Sequence, residues 1–190
     1  MMLNGVRRSV HGYRRDQATT TGEKNMTPTL RDSMHLVSDP ENLDDSVREV
    51  FETMLGVQCR REAGGDVMSE DEAAVSVTAV VGFGGILSGA CVFRCDAWAA
   101  CNIAACMAGM EFETVDDVVK DAIGEICNML AGTWKSRVPD LAANCGLSVP
   151  AVITGSDYSL HVQSPEFRVC QTYAFDNTRF EMMIVCDGLQ

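Results

Sequence analysis

Between residues 114 and 136 apolar residues return with the period of an α-helix. Val118, Val119, Ile123, Ile126, Met129 and Leu130 form a wide stripe that must pack on a core, and the opposite side is polar. On that polar side Asp121, Glu125 and Asn128 stand at i, i+4 and i+7, within an arc of roughly 60° at 100° per residue. Asp117 one turn earlier and Lys135 two turns later extend the same face. Gly124, Ala131 and Gly132 flank or interrupt it. A mid-helix Gly costs about 1 kcal/mol relative to Ala, so these small residues point to close approach by another macromolecule's surface. Order is expected from about residue 41, where Asp44 or Asp45 can cap a second helix running to about Leu55, with Val47, Val50, Phe51 and Met54 on one face. Asp96 can cap a third, shorter one over 97–110.

Elsewhere the period is two. Val75, Val77, Ala79 and Val81 alternate as a strand, the run Gly82-Phe83-Gly84-Gly85 reads as a turn, and a second strand follows over about 86–95. Further strands are predicted at about 158–163, 168–175 and 179–186, the last two joined at Asp176-Asn177-Thr178. Residues 59–73 read as a loop, and 137–155 as a stretch punctuated by Pro and Gly. The alternation calls for a sheet with one buried face, and the stripe on 114–136 supplies its cover. The expectation is one α+β domain over residues 41–190, a mainly antiparallel sheet with two long helices packed on it.

Residues 1–40 lack sustained periodicity and read as a flexible leader. They carry no apolar segment of the secretory kind and no amphipathic stripe of the transit-peptide kind, and a true start at Met26 or Met34 fits equally well. No run approaches 18 apolar residues, so no membrane span is expected. Charge sharpens the picture. The chain has 15 Lys/Arg and 27 Asp/Glu; six and four of these fall in residues 1–40, leaving nine against 23, or −14, for the remainder. Such a surface repels nucleic acid and anionic lipid and favours a partner presenting Lys or Arg. The nine cysteines form no C-x2-C pair, and His11, His35 and His161 are not clustered with them. They read as small buried hydrophobes of a reduced, cytoplasmic protein, with no metal and no cofactor of its own. A metal or redox sensor built on them is the competing class. Trp98 and Trp134 read as core or interface anchors, and His161 as a structural residue.

Polar faces are what surface helices have, so Asp121, Glu125 and Asn128 do not by themselves demand a function. Their order, followed by a small-residue step and an apolar C-terminal half, resembles the active-site helix of the CheC/CheX/FliY chemotaxis phosphatases: Asp or Ser, then Glu four residues on, then Asn three further. The similarity spans roughly 41–188, with the Gly-rich hairpin and the Leu147-Ser-Val-Pro150 step, and is specific at 121–132. Residues 49–56 can also be laid on 125–132, with Asp45 and Glu49 at matching places but Glu52 where the Asn would stand. The resemblance implies a CheC-like pseudo-repeat of two helix–strand units with one functional site, and a CheX-like protein of two-component signalling, often a homodimer. Its substrate would be the aspartyl phosphate of a CheY-like response-regulator receiver carrying its own Mg²⁺. It further implies that Asn128 positions the attacking water, that Glu125 pairs with a receiver Lys, and that Asp121 supports them. The alternative is a non-catalytic module that binds a receiver or flagellar switch protein.

Overall fold

The computed structural model describes residues 34–63, 76–156, 158, 161 and 165–189. Its helices are α1 (Met34–Val37), α2 (Pro40–Val50), α3 (Ala97–Ala108), α4 (Asp117–Ser136) and α5 (Pro139–Asn144). Its strands are β1 (Arg60–Arg61), β2 (Ser76–Gly85), β3 (Leu87–Asp96), β4 (Cys145–Leu147), β5 (Ala151–Gly155), β6 (Phe167–Phe175) and β7 (Thr178–Leu189). A π-helical turn, Phe51–Leu55, prolongs α2 and ends at Gly56 in the left-handed region. Every strand pairing is antiparallel, in the order β1-β6-β7-β3-β2, with β4 and β5 both on the free edge of β2. The α+β class, the antiparallel sheet and the two long helices packed on it are as expected.

The core lies between one sheet face and the helices. Val77, Ala79 and Val81 of β2, Cys91 and Phe93 of β3, and Phe180, Met182 and Ile184 of β7 point into it, alternating along each strand as the pleat requires. Val119, Ile123, Ile126, Leu130 and Trp134 of α4 meet them. Phe180 stacks on Phe51, Phe93 and Tyr173, joining the π-helical extension of α2 to the sheet. Tyr173 also donates to Asp44 at 2.7 Å, and Arg61 pairs with the same carboxylate at 2.8 Å.

Several expectations need revision. The helix expected to be capped by Asp44 or Asp45, α2, is capped by Asp39, whose carboxylate accepts from the Glu41 N–H, with Pro40 at the first helical position; Asp44 and Asp45 lie inside it. Order therefore starts before residue 41, and Val37 is fully buried in the core. The run at 82–85 belongs to β2, and the reversal falls at Gly85–Leu87. Gly84 and Gly85 pair with Gly146 and Cys145 of β4, and Gly85 leaves room for the Asn144 carbonyl just before that strand. The stretch 137–155, read as a connection, holds α5, β4 and β5. The strand expected at 158–163 falls largely outside the described residues, and Tyr158 and His161 are not in a strand. The far side of the sheet is also partly buried, with a small cluster of Val92, Met183 and Val185, while the Tyr158 hydroxyl bonds Thr78 at 2.5 Å.

Between Leu147, opposite Phe83, and Ala151, opposite Val80, three residues face two. This is a β-bulge, and it contains Pro150, which could not donate to a regular ladder. At its start Ser148 donates its N–H to the Gly82 carbonyl and accepts the Gly82 N–H on Oγ, each at 2.9 Å.

Gly85 offers the sharpest test of this edge. Its φ is +121°, and a Cβ there would lie 2.2 Å from the Asn144 carbonyl oxygen. Gly85→Ala is expected to lower stability by about 2 kcal/mol or more, measured by urea unfolding. The nearby Gly84→Ala, with open space at its Cβ, should cost far less.

Candidate functional site

α4 is started by Asp116, which accepts the Val119 N–H at 2.9 Å, and is fixed along its length by the apolar stripe. Cys127 fits closely enough against the sheet for its thiol to reach the carbonyls of Ala79 and Cys91 at 3.6 and 3.7 Å. With that face anchored, Asp121 and Glu125 are exposed and Asn128 is half-buried on the outward side. Among the described residues, none of the three side chains makes a hydrogen bond or ion pair. Asp121 and Glu125 line a shallow hollow of about 280 Å³ with Lys120, Gly124, Pro150 and Val152. Asn128 lines a larger groove of about 710 Å³ on the other side of the same face. That groove runs along α4 past Met129, Gly132, Thr133 and Ser136. Val50, Thr53 and Met54 form one wall and Leu147 contributes the other.

Other members of the expected face are otherwise engaged. Asp117 pairs with Lys120 at 2.9 Å. Lys135 turns to the carbonyls of Leu141 and Ala142, at 3.4 and 3.1 Å, near the end of α5. Val118, assigned to the apolar stripe, is 54 % exposed; it falls only about 20° from Glu125 on the helical wheel. Gly124 is buried, and a Cβ there would lie 3.3 Å from Pro150 and 3.4 Å from Val152. Its small size therefore serves the chain's own bulge, not an outside surface. The groove-lining Thr53, Thr133 and Ser136 carried no sequence signal, and Leu147 entered only through the Leu147-Ser-Val-Pro150 step, because their grouping depends on how α2 and β4 flank α4.

The earlier copy of the pattern looks different. Glu49 pairs with Arg137 at 2.6 Å, and Asp45 with Arg48 at 2.7 Å and Arg137 at 3.5 Å. The π-helical turn begins two residues after Glu49 and contains Glu52. There a wider turn replaces the α-helical one, so the spacing no longer maps onto an α-helical face.

A family profile described as "Chemotaxis phosphatase CheX" matches residues 77–174, just over half of the chain. The chain belongs to the CheX family. A protein of Thermotoga maritima named "CheY-P phosphatase CheX" is 28% identical over 116 residues, covering 60% of this chain and 74% of that one. Among solved structures, a CheC-like superfamily protein from Shewanella aligns with a TM-score of 0.64 at 21% identity, over 78% of this chain and 96% of its own. CheX from Borrelia burgdorferi, solved in complex with CheY, BeF3 and Mg²⁺, aligns with a TM-score of 0.57 at 22% identity, over 78% and 98%. These likenesses support the CheC-like fold and membership of the CheC/CheX/FliY group.

All nine cysteines are free thiols, and six are buried, Cys91, Cys95, Cys127 and Cys186 most completely. Burial, reinforced by Glu52, raises Cys59 to about 12, and burial likewise raises Cys186. Among the described residues no group of three or more His, Cys, Asp and Glu is placed to hold a metal, and no helix is long and apolar enough to cross a membrane. Trp134 is a core residue, whereas Trp98 is 53 % exposed. Thiol titration of the native protein at pH 8 should modify Cys106, the one thiol of the exposed class, first. Cys91, Cys95 and Cys127 should react only on unfolding; rapid reaction of all nine in the native state would contradict this packing.

Proposed function

We propose that this protein is a phosphatase for the aspartyl phosphate of a CheY-like receiver domain, with Asn128 holding the attacking water and Glu125 fixing the docking register. The observation that carries the proposal is the state of that pair. Carboxylate and carboxamide share the outward face of an anchored helix and lack partners among the described residues. The matching carboxylate of α2, Glu49, is neutralised by Arg137. The Thermotoga relative's name and the Borrelia relative's complex with CheY point to the same substrate class.

A carboxamide can donate one hydrogen bond and accept another, which is enough to orient a water. The receiver supplies the rest: an acyl phosphate, its own Mg²⁺ and a Lys. The water attacks phosphorus in line with the bond to the Asp oxygen, that bond breaks, and the receiver carboxylate leaves as inorganic phosphate forms. Positioning is the main contribution, the part played by the water-orienting Gln of GTPases. Glu125, exposed in the free protein, pairs with the receiver Lys on docking, and Asp121 one turn earlier supports the contact. The protein needs no cofactor of its own and works in the cytoplasm as a homodimer, while Glu49 and Glu52 form no second site. Residues 1–33 are dispensable for the chemistry.

Asn128→Ala is expected to abolish accelerated phosphate release while leaving receiver binding within about threefold. Glu125→Ala should weaken binding as well as turnover, by about tenfold or more, as loss of a charge-assisted contact does. Glu52→Ala should change neither. Phosphate release and complex formation, measured separately, check all three. Full activity in Asn128→Ala would sink the water-positioning role, and binding without any hydrolysis by wild type would favour an interaction module. Deleting residues 1–33 should preserve activity and melting temperature. Deleting residues 1–40 removes Val37 and the Asp39 cap, and should lower the melting temperature by several degrees.

A further inference from the structure

Two glycines interrupt α4, and only one has an internal reason. Gly124 gives room to Pro150 and Val152. Gly132 has no positive φ, and a Cβ added to it would meet only Leu147 Cδ1, at 3.9 Å, an ordinary contact. Neither backbone conformation nor internal packing accounts for the propensity cost of a mid-helix glycine here. Gly132 is instead part of the floor of the groove that opens at Asn128.

The groove is electrically quiet within a strongly acidic protein. Glu49 and Arg137, the two charged residues that line it, are paired with each other. The remaining lining is apolar (Val50, Met54, Met129, Leu147) or uncharged and polar. Met54 on its rim is 50 % exposed. An occupant must therefore present uncharged, partly apolar surface, and it must come close enough to α4 that a side chain at 132 would obstruct it.

We propose that this groove docks the uncharged surface of the phosphorylated receiver next to its Asp phosphate, with Gly132 as the point of closest approach. The inference rests on the receiver being the substrate, as proposed above. Asn128 lies in the same groove, so a phosphoryl group brought to its carboxamide carries the adjoining receiver surface over Gly132 and toward Met54. Glu125 then recognises the charged Lys, and the groove recognises the neutral surface beside it. Gly132 and Met54 act as docking residues and take no part in the chemistry.

The test uses the full chain with Gly132→Leu, which fills the groove, Gly132→Ala, which narrows it, and Met54→Asp, which places a charge on its rim. CheY-type receivers of the same organism are loaded with beryllofluoride and Mg²⁺ for binding, and phosphorylated for turnover. Gly132→Ala should raise the melting temperature, because the helix gains an alanine and the space exists, yet raise KM several-fold. Gly132→Leu and Met54→Asp should weaken binding at least tenfold while leaving kcat at saturating receiver within about twofold. Should Gly132→Leu fail to fold, Met54→Asp and Gly132→Ala carry the same expectation. Unchanged receiver binding in the folded variants would overturn the groove proposal and leave the phosphatase reading standing. Weakened binding in them, with a wild type that binds but releases no phosphate, would keep the groove and remove the catalysis. A wild type that binds no receiver overturns both. A change in oligomeric state by sedimentation, with receiver binding intact, would assign the groove to a second copy of the chain and overturn the proposal.

Discussion

Ile123, Ile126, Leu130 and Trp134 of α4 are buried against the inner face of the sheet, and Cys127 sits among them with its thiol reaching two strand carbonyls. Fully burying a side chain of this size contributes about 1.5–3 kcal/mol, so the stripe fixes the rotation of the helix as well as its position. A turn of one residue would carry Glu125 toward the core and expose an isoleucine. The outward polar face is thus set by what lies behind it. The features of the site follow from that anchoring: a carboxylate and a carboxamide with no partner among the described residues, and the hollows formed where β4–β5 and α2 flank the helix.

The two helical copies of the pattern show what separates a site from a solvated face. Both place acidic residues at matching spacing on an amphipathic helix. In α2 those carboxylates are satisfied within the molecule, Glu49 by Arg137 and Asp45 by Arg48 and Arg137. Exposed pairs of this kind add little stability, but they engage the two carboxylates that match Asp121 and Glu125, leaving of that copy Glu52 on the π-helical turn. In α4 the cations that could have done the same are engaged elsewhere, Lys120 with Asp117 and Lys135 with the carbonyls near the end of α5. Pairing, more than spacing, distinguishes the copies.

Much of this was legible from residue order alone. A stripe of period 3.6 sustained over twenty residues admits one interpretation, and the Asp117–Ser136 helix and its outward triad follow from it. The β6–β7 hairpin was equally plain, because alternation on both sides of Asp176-Asn177 leaves little choice of register. The 137–155 stretch was not legible. Its elements are three to six residues long and form because the edge of β2 offers pairing, a tertiary reason no local pattern records. The Gly82–Gly85 run misled for a related cause: glycine commonly marks a turn, but here it admits a neighbouring strand. Val118 was put on the wrong face by its apolarity, and Gly124 was read as room for a partner when it is room for Pro150.

The central claim is that the unpartnered Glu125–Asn128 face hastens loss of a phosphoryl group from a receiver. The most direct measurement is the lifetime of a phosphorylated CheY-type receiver, in Mg²⁺, alone and under an excess of the full-length protein. The account predicts a lifetime at least tenfold shorter, with inorganic phosphate released in step with the loss. A lifetime unchanged or prolonged, in a mixture where the complex demonstrably forms, would contradict it.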